Sequence, residues 1–196
     1  MSNKSYIRYL FILFVFFAFS CNHQNTPKPH SYFRIDLPEK KYQEYSSRCP
    51  YTFEYPVYGS VENYNGPNAQ PCWINIVFPA YKAEIHLTYK TIENNLSKYV
   101  DDVHTIAYKH SIKADDIIEK RISYPETHVY GILYDITGNA ASSVNFFVTD
   151  SVEHFLNGSL YFNVSPNADS LAPLINFFRK DIMHLLKTLE WKNAGL

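Results

Sequence analysis

Residues 83–110 read AEIHLTYKTIENNLSKYVDDVHTIAYKH, and the spacing of their apolar residues changes once. Up to Tyr89 every second residue is apolar, which is typical of a strand with one buried face. After Asn94 and Asn95, either of which can cap a helix, apolar residues recur every three or four positions. This spacing predicts an amphipathic helix that ends near Ile112. The chain therefore combines strands with helices.

Strand-like segments lie on both sides of this helix. They are rich in alternating, β-branched and aromatic residues, and they cover residues 51–55, 74–78, 117–122, 129–136, 143–149 and 154–164. Glycine, proline and amide residues mark 58–71 as a long exposed loop. Asn157 and Gly158 can form a tight hairpin turn, or Gly158 can be a bulge in one long strand, and we favour the bulge.

A second helix is predicted near the end of the sequence. Residues 171–189 carry a broad apolar stripe, and Ser170 is the natural cap. With this start Pro173 falls in the first turn, where its missing N–H removes no intrahelical hydrogen bond. We therefore expect the helix to begin near Leu171.

These elements predict an α+β fold, in which a single antiparallel β-sheet is covered by the mid-chain helix and the C-terminal helix. Their order resembles the PsbP-like sandwich. One globular domain is expected over residues 49–192, with an extended surface segment over 31–48 before it and a short tail over 193–196 after it. Because 46% of the residues are hydrophobic, the chain has enough apolar material for one core.

The N-terminus has the pattern of a bacterial lipoprotein signal peptide. Lys4 and Arg8 precede an apolar run over residues 9–19, and Cys21 follows shortly after the run. A membrane span needs about 20 apolar residues, so we expect cleavage after residues 1–20 rather than insertion. Cys21 then carries a diacylglycerol, and residues 21–30 form a flexible tether. The alternative is an ordinary secretory leader with an incidental cysteine.

The charge and the cysteines restrict the partners and the compartment. With 18 basic and 19 acidic residues the formal net charge is -1, which disfavours nucleic acid as a partner. Cys49 and Cys72 can form a disulfide in an oxidising compartment if the strands that follow them are neighbours. Two separate buried thiols are the alternative.

The sequence shows no catalytic constellation. It contains neither a Gly-x-Ser-x-Gly elbow nor a glycine-rich phosphate loop. The eight histidines are scattered, so we expect no metal and no other cofactor. Asp101 and Asp102 are adjacent on the predicted helix and point in different directions, so they do not form a glycosidase pair.

Two short polar segments are candidates for contact with a partner. Lys113, Asp115 and Asp116 follow the mid-chain helix, where turn and capping roles are the simpler interpretation. Gly138 and Asn139 begin a compact loop of small residues, where the backbone of a partner can approach closely. We treat these five residues as a candidate partner-binding loop.

Seven short motifs follow one another in a characteristic order. They are CPYTFE at 49–54, LTYK at 87–90, HSIKADD at 110–116, GNAAS at 138–142, FVTD at 147–150, GSLYF at 158–162 and DSLAP at 169–173. Together they resemble the gliding motility lipoprotein GldD family of Bacteroidota over essentially the whole mature chain. The resemblance implies a non-enzymatic envelope lipoprotein that is required for gliding and supports the assembly or stability of the gliding and type IX secretion machinery. Its implied partners are the membrane, other gliding lipoproteins and secretion components, and Cys21 is the only functional position carried over.

The resemblance also implies a location. Acidic residues close behind the lipidated cysteine direct lipoproteins of this phylum to the cell surface, and residues 22–26 contain none. We therefore expect an outer-membrane anchor with the domain facing the periplasm. Two rival functions stay open, namely an envelope enzyme centred on His110, Asp115 or Asp116, and a small-ligand carrier with a deep apolar pocket.

Overall fold

The computed structural model describes residues 36–109, 114–164 and 168–192, except for the side chains of 168 and 169, and these residues lie in one compact unit. They contain ten strands and two α-helices: β1 (Tyr42–Tyr45), β2 (Tyr51–Pro56), β3 (Ser60–Asn63), β4 (Ile74–Phe78), β5 (Ala83–Thr91), α1 (Leu96–Lys109), β6 (Ala114–Tyr124), β7 (Val129–Gly138), β8 (Ser142–Thr149), β9 (His154–Phe162), α2 (Ala168–Lys187) and β10 (Glu190–Trp191). The predicted signal peptide, tether and tail lie outside the described residues, and the domain limits stay predictions.

Seven strands form the main sheet, in the order β3-β4-β5-β9-β8-β7-β6. All pairs are antiparallel, and β6 to β9 are joined as successive hairpins. β9 also pairs with β5, from the Ala83 and Phe162 pair to the Thr91 and His154 pair. Because β5 is central and β6 is an edge strand, the chain has to cross the sheet between them, and α1 makes this crossing.

A separate three-stranded sheet consists of β1, β2 and β10. The α+β class is therefore confirmed, but the sheets number two rather than one. β2 pairs with β1 on one side and with the two residues of β10, Glu190 and Trp191, on the other. The second partner comes from the far end of the chain and is too short to show an apolar period, so the sequence pattern could not reveal it.

The two helices cover opposite faces of the main sheet. Phe178 of α2 belongs to the same buried cluster as Phe146 of β8, whereas Val103 and Ala107 of α1 pack with Phe147. Successive residues of a strand point to opposite faces, so α1 and α2 enclose β8 between them. All eight residues of β8 are buried as a result. Each large apolar side chain buried in this way stabilises the fold by about 1.5–3 kcal/mol.

The helices differ slightly from their predicted limits. The carbonyl of Asn95 accepts a hydrogen bond from the amide of Tyr99 at 3.3 Å, so Asn95 rather than Asn94 is the residue that caps α1. α2 begins at Ala168, three residues earlier than expected, and Pro173 therefore lies inside the helix. Its missing N–H removes one hydrogen bond near the start of the helix. Within the described ranges, no helix has the length and apolar character that crossing a bilayer requires.

Part of the predicted loop over 58–71 is a strand. β3 pairs with β4 through four residue pairs and forms one edge of the main sheet. Of its four residues only Val61 is apolar, because an edge strand needs to bury little surface. A polar composition is therefore compatible with an edge strand as well as with a loop, and for this reason the sequence did not predict β3.

The single long strand that we favour over a hairpin turn at Asn157 and Gly158 is confirmed, but the bulge at Gly158 is wrong. β9 is continuous, and Gly158 pairs in regular register with Leu87 and Phe146. A Cβ atom at this position would meet the ring of Phe146 and would lie 2.8 Å from Cδ2 of Leu87. The glycine therefore makes room for the core side chains of its two neighbouring strands.

A disulfide joins Cys49 and Cys72, whose Cα atoms are 5.5 Å apart. The strands that follow these cysteines, β2 and β4, are not hydrogen-bonded neighbours but belong to different sheets. The expectation that these two strands are neighbours is therefore wrong, although the bond is present. The bond connects the small sheet to the edge region of the main sheet.

Removing this disulfide should lower stability clearly. The two cysteines are 23 residues apart, and a loop of this length contributes about 3 kcal/mol on the chain-entropy model. We expect the double variant Cys49→Ser with Cys72→Ser to unfold about 6–12 °C below the wild type in thermal denaturation followed by circular dichroism. The reduced wild type should match the variant. Equal melting temperatures of the oxidised wild type and the variant would contradict the stabilising role of the bond.

Buried tyrosines make stability sensitive to alkaline pH. Burial raises the pKa of Tyr42, Tyr51 and Tyr58 above the ordinary value of 10.0, and it raises the pKa of Tyr134 to about 12. Above pH 10 the unfolded chain therefore releases protons that the folded chain retains, and stability falls as the pH rises. Burial lowers the pKa of Lys40. This one group has the opposite effect on stability, because the folded chain releases its proton at a lower pH than the unfolded chain does.

We expect the free energy of unfolding from urea titrations to decrease steadily from pH 10 to 12. Tyr51→Phe should make this decrease shallower, because one of the groups with a raised pKa is removed. A free energy of unfolding that stays level or increases over this interval would show that the tyrosines do not govern the alkaline limit.

Candidate functional site

The structure brings four of the five candidate loop residues together. Ala114 pairs with Gly138, and the register then shifts so that Asp116 pairs with Thr137. Asp115 is the extra residue of this irregularity, and it lies at the edge of the main sheet. Asn139 follows Gly138 directly in the chain.

The expected turn and capping roles of Asp115 and Asp116 are wrong, because both residues belong to β6. The carboxylate of Asp116 accepts a hydrogen bond from the amide of Ile117 at 2.8 Å. Lys113 and His110 lie outside the described residues.

Gly138 has the backbone conformation that favours glycine at this corner. Its φ angle is 96°, in a region that residues with a Cβ atom seldom adopt. It ends β7, and the chain then passes through Asn139 into β8. The exposed bulge at Asp115 and this corner therefore form one continuous edge.

A cleft of about 300 Å³ separates this edge from the first half of α2. We call it the α2 cleft. Its rim carries the polar and small residues Asp115, Thr137, Gly138, Ala172, Asn176 and Arg179. Ile136 and Ile175, both buried, contribute apolar surface. A cleft with an apolar floor and a polar rim has the composition of a small protein-binding site.

Arg179 connects α2 to the main sheet beside the cleft. Its guanidinium donates to the carboxylate of Asp135 at 2.5 Å and also contacts the side-chain oxygen of Asn176. Lys120 of β6 reaches the other oxygen of Asp135 at 3.0 Å. Asp135 is only 5% exposed, so the pairing compensates a buried charge. The Nε atom of Arg179 is buried, and no described residue pairs with it.

The cleft is lined by side chains that can form hydrogen bonds, ion pairs and apolar contacts. Its lining contains no serine, cysteine or histidine that could serve as a nucleophile or a neutral base. Over the described ranges, no three histidine, cysteine or acidic side chains are grouped closely enough to hold a metal ion. Asp101 and Asp102 are exposed on α1, away from the cleft.

The sequence motifs contain three of the eight residues that line this cleft, namely Asp115, Gly138 and Ala172. Asn176 and Arg179 are outside them. One signal was present: Asp135 and Arg179 each interrupt an apolar pattern, one in a buried strand and one in the apolar helix. Charges at buried positions usually have partners, so each of the two could have been singled out as a buried charge that needs one.

Comparisons with known proteins give a structural neighbour and a family. The solution structure of the cyanobacterial PsbP protein (CyanoP) from Synechocystis sp. PCC 6803 is similar with a TM-score of 0.48 and 10% identity, and the match covers 81% of this chain and 97% of that one. No curated protein matches the chain. The family model of the gliding motility lipoprotein GldD matches residues 22–191, so the chain belongs to the GldD family of gliding motility lipoproteins.

Proposed function

We propose that this gliding motility lipoprotein acts as a non-enzymatic accessory, which binds a protein of the gliding or type IX secretion machinery in the α2 cleft and so supports its assembly or stability. Family membership supports the role in gliding and a lipid-anchored place in the cell envelope. The cleft supports the binding role, because family motifs that are distant in the sequence, at Asp115 and Gly138, meet beside α2. This juxtaposition is the observation on which the proposal depends.

The proposal extends to the location of the domain. Residues 22–26 carry no acidic side chain that would direct the protein to the cell surface. We therefore place the anchor in the inner leaflet of the outer membrane, with the domain in the periplasm. Protease added to intact cells should leave the domain uncut and should degrade it once the outer membrane is permeabilised. Digestion on intact cells would place the domain outside.

Filling the cleft should stop gliding without removing the protein. Asn176 is exposed on the rim, and a tryptophan there occupies space that a partner would need. We expect a deletion strain that carries Asn176→Trp to spread no further than the deletion strain itself, at a normal protein level on immunoblots.

Two control variants accompany this test. Lys187→Trp adds the same ring to the same helix, about 16 Å further along and outside the cleft, and should spread normally. Asn176→Ala loses the contact with Arg179 without filling the cleft, and should also spread. Normal spreading of Asn176→Trp at full protein level would exclude the cleft as the binding site.

A further inference from the structure

The outer edge of β6 is a long strand edge that is open to another strand. β6 lies at one end of the main sheet, and among the described strands it pairs only with β7. It has 11 residues, and seven of them are exposed. The strand at the other end of the sheet, β3, has only four residues. A long edge strand presents backbone N–H and C=O groups that can pair with a further strand.

Two large side chains at this edge are exposed to solvent. Ile118 is 45% exposed, and Tyr108 of α1 is 40% exposed. Tyr108 donates from its hydroxyl to the carboxylate of Glu119 at 2.9 Å, so its ring lies beside β6. Because Ile118 and Glu119 are successive residues of one strand, their side chains point to opposite faces of the sheet. A strand added at this edge would therefore remove apolar surface from water on both faces.

The charges of β6 are placed symmetrically about Ile118. Asp115 and Asp116 precede it, and Lys120 and Arg121 follow it at the matching distances. If two copies of β6 lie antiparallel with Ile118 opposite the partner's Ile118, then Asp116 lies opposite the partner's Lys120. Asp115 and the partner's Arg121 come close at the outer positions. Opposite charges stabilise such cross-strand pairs and like charges destabilise them, so the strand is complementary to itself in this alignment.

The side chains that this alignment uses are accessible. Asp116 is exposed, and its carboxylate accepts a hydrogen bond from the amide of the next residue, Ile117. Lys120 is 47% exposed, although its ammonium also contacts the carboxylate of Asp135 at 3.0 Å. Arg179 pairs with the same carboxylate, so Asp135 keeps a counter-charge when Lys120 turns toward a partner.

We infer that two copies of this lipoprotein pair through β6, antiparallel and with Ile118 at the twofold axis, so that their main sheets join into one. Such an interface is isologous, because the same strand serves on both sides. Copies of a lipid-anchored protein share one membrane surface, which raises their effective concentration and allows a small interface to suffice. Of the residues that line the α2 cleft only Asp115 belongs to β6, and the inference does not depend on the proposed function.

Cysteine crosslinking in isolated membranes tests this inference, with the full chain and a short bismaleimide. In the inferred dimer, cysteines introduced by Ile118→Cys have Cβ atoms about 5 Å apart, whereas those introduced by Ser123→Cys are about 34 Å apart along the strands. We therefore expect a crosslinked dimer from Ile118→Cys and at least about tenfold less from Ser123→Cys. The wild type should give none, because Cys49 and Cys72 are bonded to each other and Cys21 is expected to carry lipid.

A charge change tests the alignment itself. Added to Ile118→Cys, Asp116→Lys places like charges opposite each other at two symmetric positions and should reduce the dimer about fivefold. Glu62→Lys makes the same change of charge at an exposed position of the other edge strand, β3, and should leave the yield within about twofold. Thermal unfolding of each variant confirms that the protein under test is folded.

Three outcomes would overturn the inference. Absence of a dimer from Ile118→Cys would show that the edge does not meet a second copy. Equal yields from Ile118→Cys and Ser123→Cys would indicate random collision or a parallel alignment. An equal effect of Asp116→Lys and Glu62→Lys would mean that the charges of β6 do not align the two copies.

Discussion

Replacing Cys21 by serine should release the protein from the membrane and abolish gliding. The family is one of lipoproteins, and Cys21 is the cysteine behind the signal-like leader. Each buried methylene of an acyl chain contributes about 0.8 kcal/mol, so two or more chains anchor a protein durably, whereas a serine carries none. A released domain would be diluted through its compartment and would lose its position beside a membrane-bound machine.

Three measurements on cells that express Cys21→Ser check this expectation: labelling with an alkyne fatty acid, the share of the protein in the membrane fraction, and colony spreading. We expect no labelling, a protein that leaves the membrane fraction, and spreading at the level of the deletion strain. The double variant Cys49→Ser with Cys72→Ser is the control, because it removes the other two cysteines but should keep both the label and the membrane association. A Cys21→Ser protein that stays labelled and membrane-bound would refute the anchor.

A large loss of stability is expected when Asp181, a buried carboxylate on α2, is replaced. It is 1% exposed and accepts hydrogen bonds from Lys40 at 2.7 Å, Tyr58 at 2.7 Å and Tyr42 at 3.0 Å. The ammonium of Lys40 also lies 3.0 Å from the ring centroid of Phe177. Lys40 precedes β1, so this cluster fastens the segment that follows the predicted tether to the C-terminal helix.

Asp181→Leu should lower the free energy of unfolding by about 3–5 kcal/mol, because it leaves the partly buried ammonium of Lys40 without its counter-charge. The double variant Lys40→Met with Asp181→Leu should recover a large part of this loss, since it removes both charges together. Urea denaturation measures both values, and hydrogen exchange of residues 36–45 should increase most in the single variant. A single variant within about 1 kcal/mol of the wild type, or a double variant less stable than the single one, would show that the charge pair is not what holds the segment.

Several parts of this fold follow from the sequence because their apolar periods are long and regular. β5 and α1 are separated at Asn95 by a visible change of period, and β7, β8 and β9 each bury several side chains. The edge strand β3 and the two-residue strand β10 are different, because they gain their stability from pairing rather than from burial. Patterns of hydrophobicity report burial, so they reveal the first group and miss the second.

The candidate site shows the same difference: some of its residues can be predicted from the sequence, whereas their arrangement cannot. The sequence alone reveals Asp115 as one of two adjacent acidic residues after the helix. It reveals Gly138 as the glycine that begins a loop of small residues. Their position beside Arg179 depends on how α2 packs on the sheet, and that packing is fixed by contacts between residues 44 positions apart, such as the pair of Arg179 and Asp135. A single sequence shows that such charges interrupt apolar patterns, but the fold decides which of them meet.

We propose that this lipoprotein holds a protein partner in the α2 cleft, and photocrosslinking in living cells can detect that contact. A small aliphatic diazirine side chain at position 176, which leaves the cleft open as Asn176→Ala does, should give a discrete adduct of higher mass that contains a gliding or type IX secretion protein, whereas the same group at position 187 should give none. Adducts of equal strength at both positions, or no adduct at position 176 in cells that still glide, would contradict the claim.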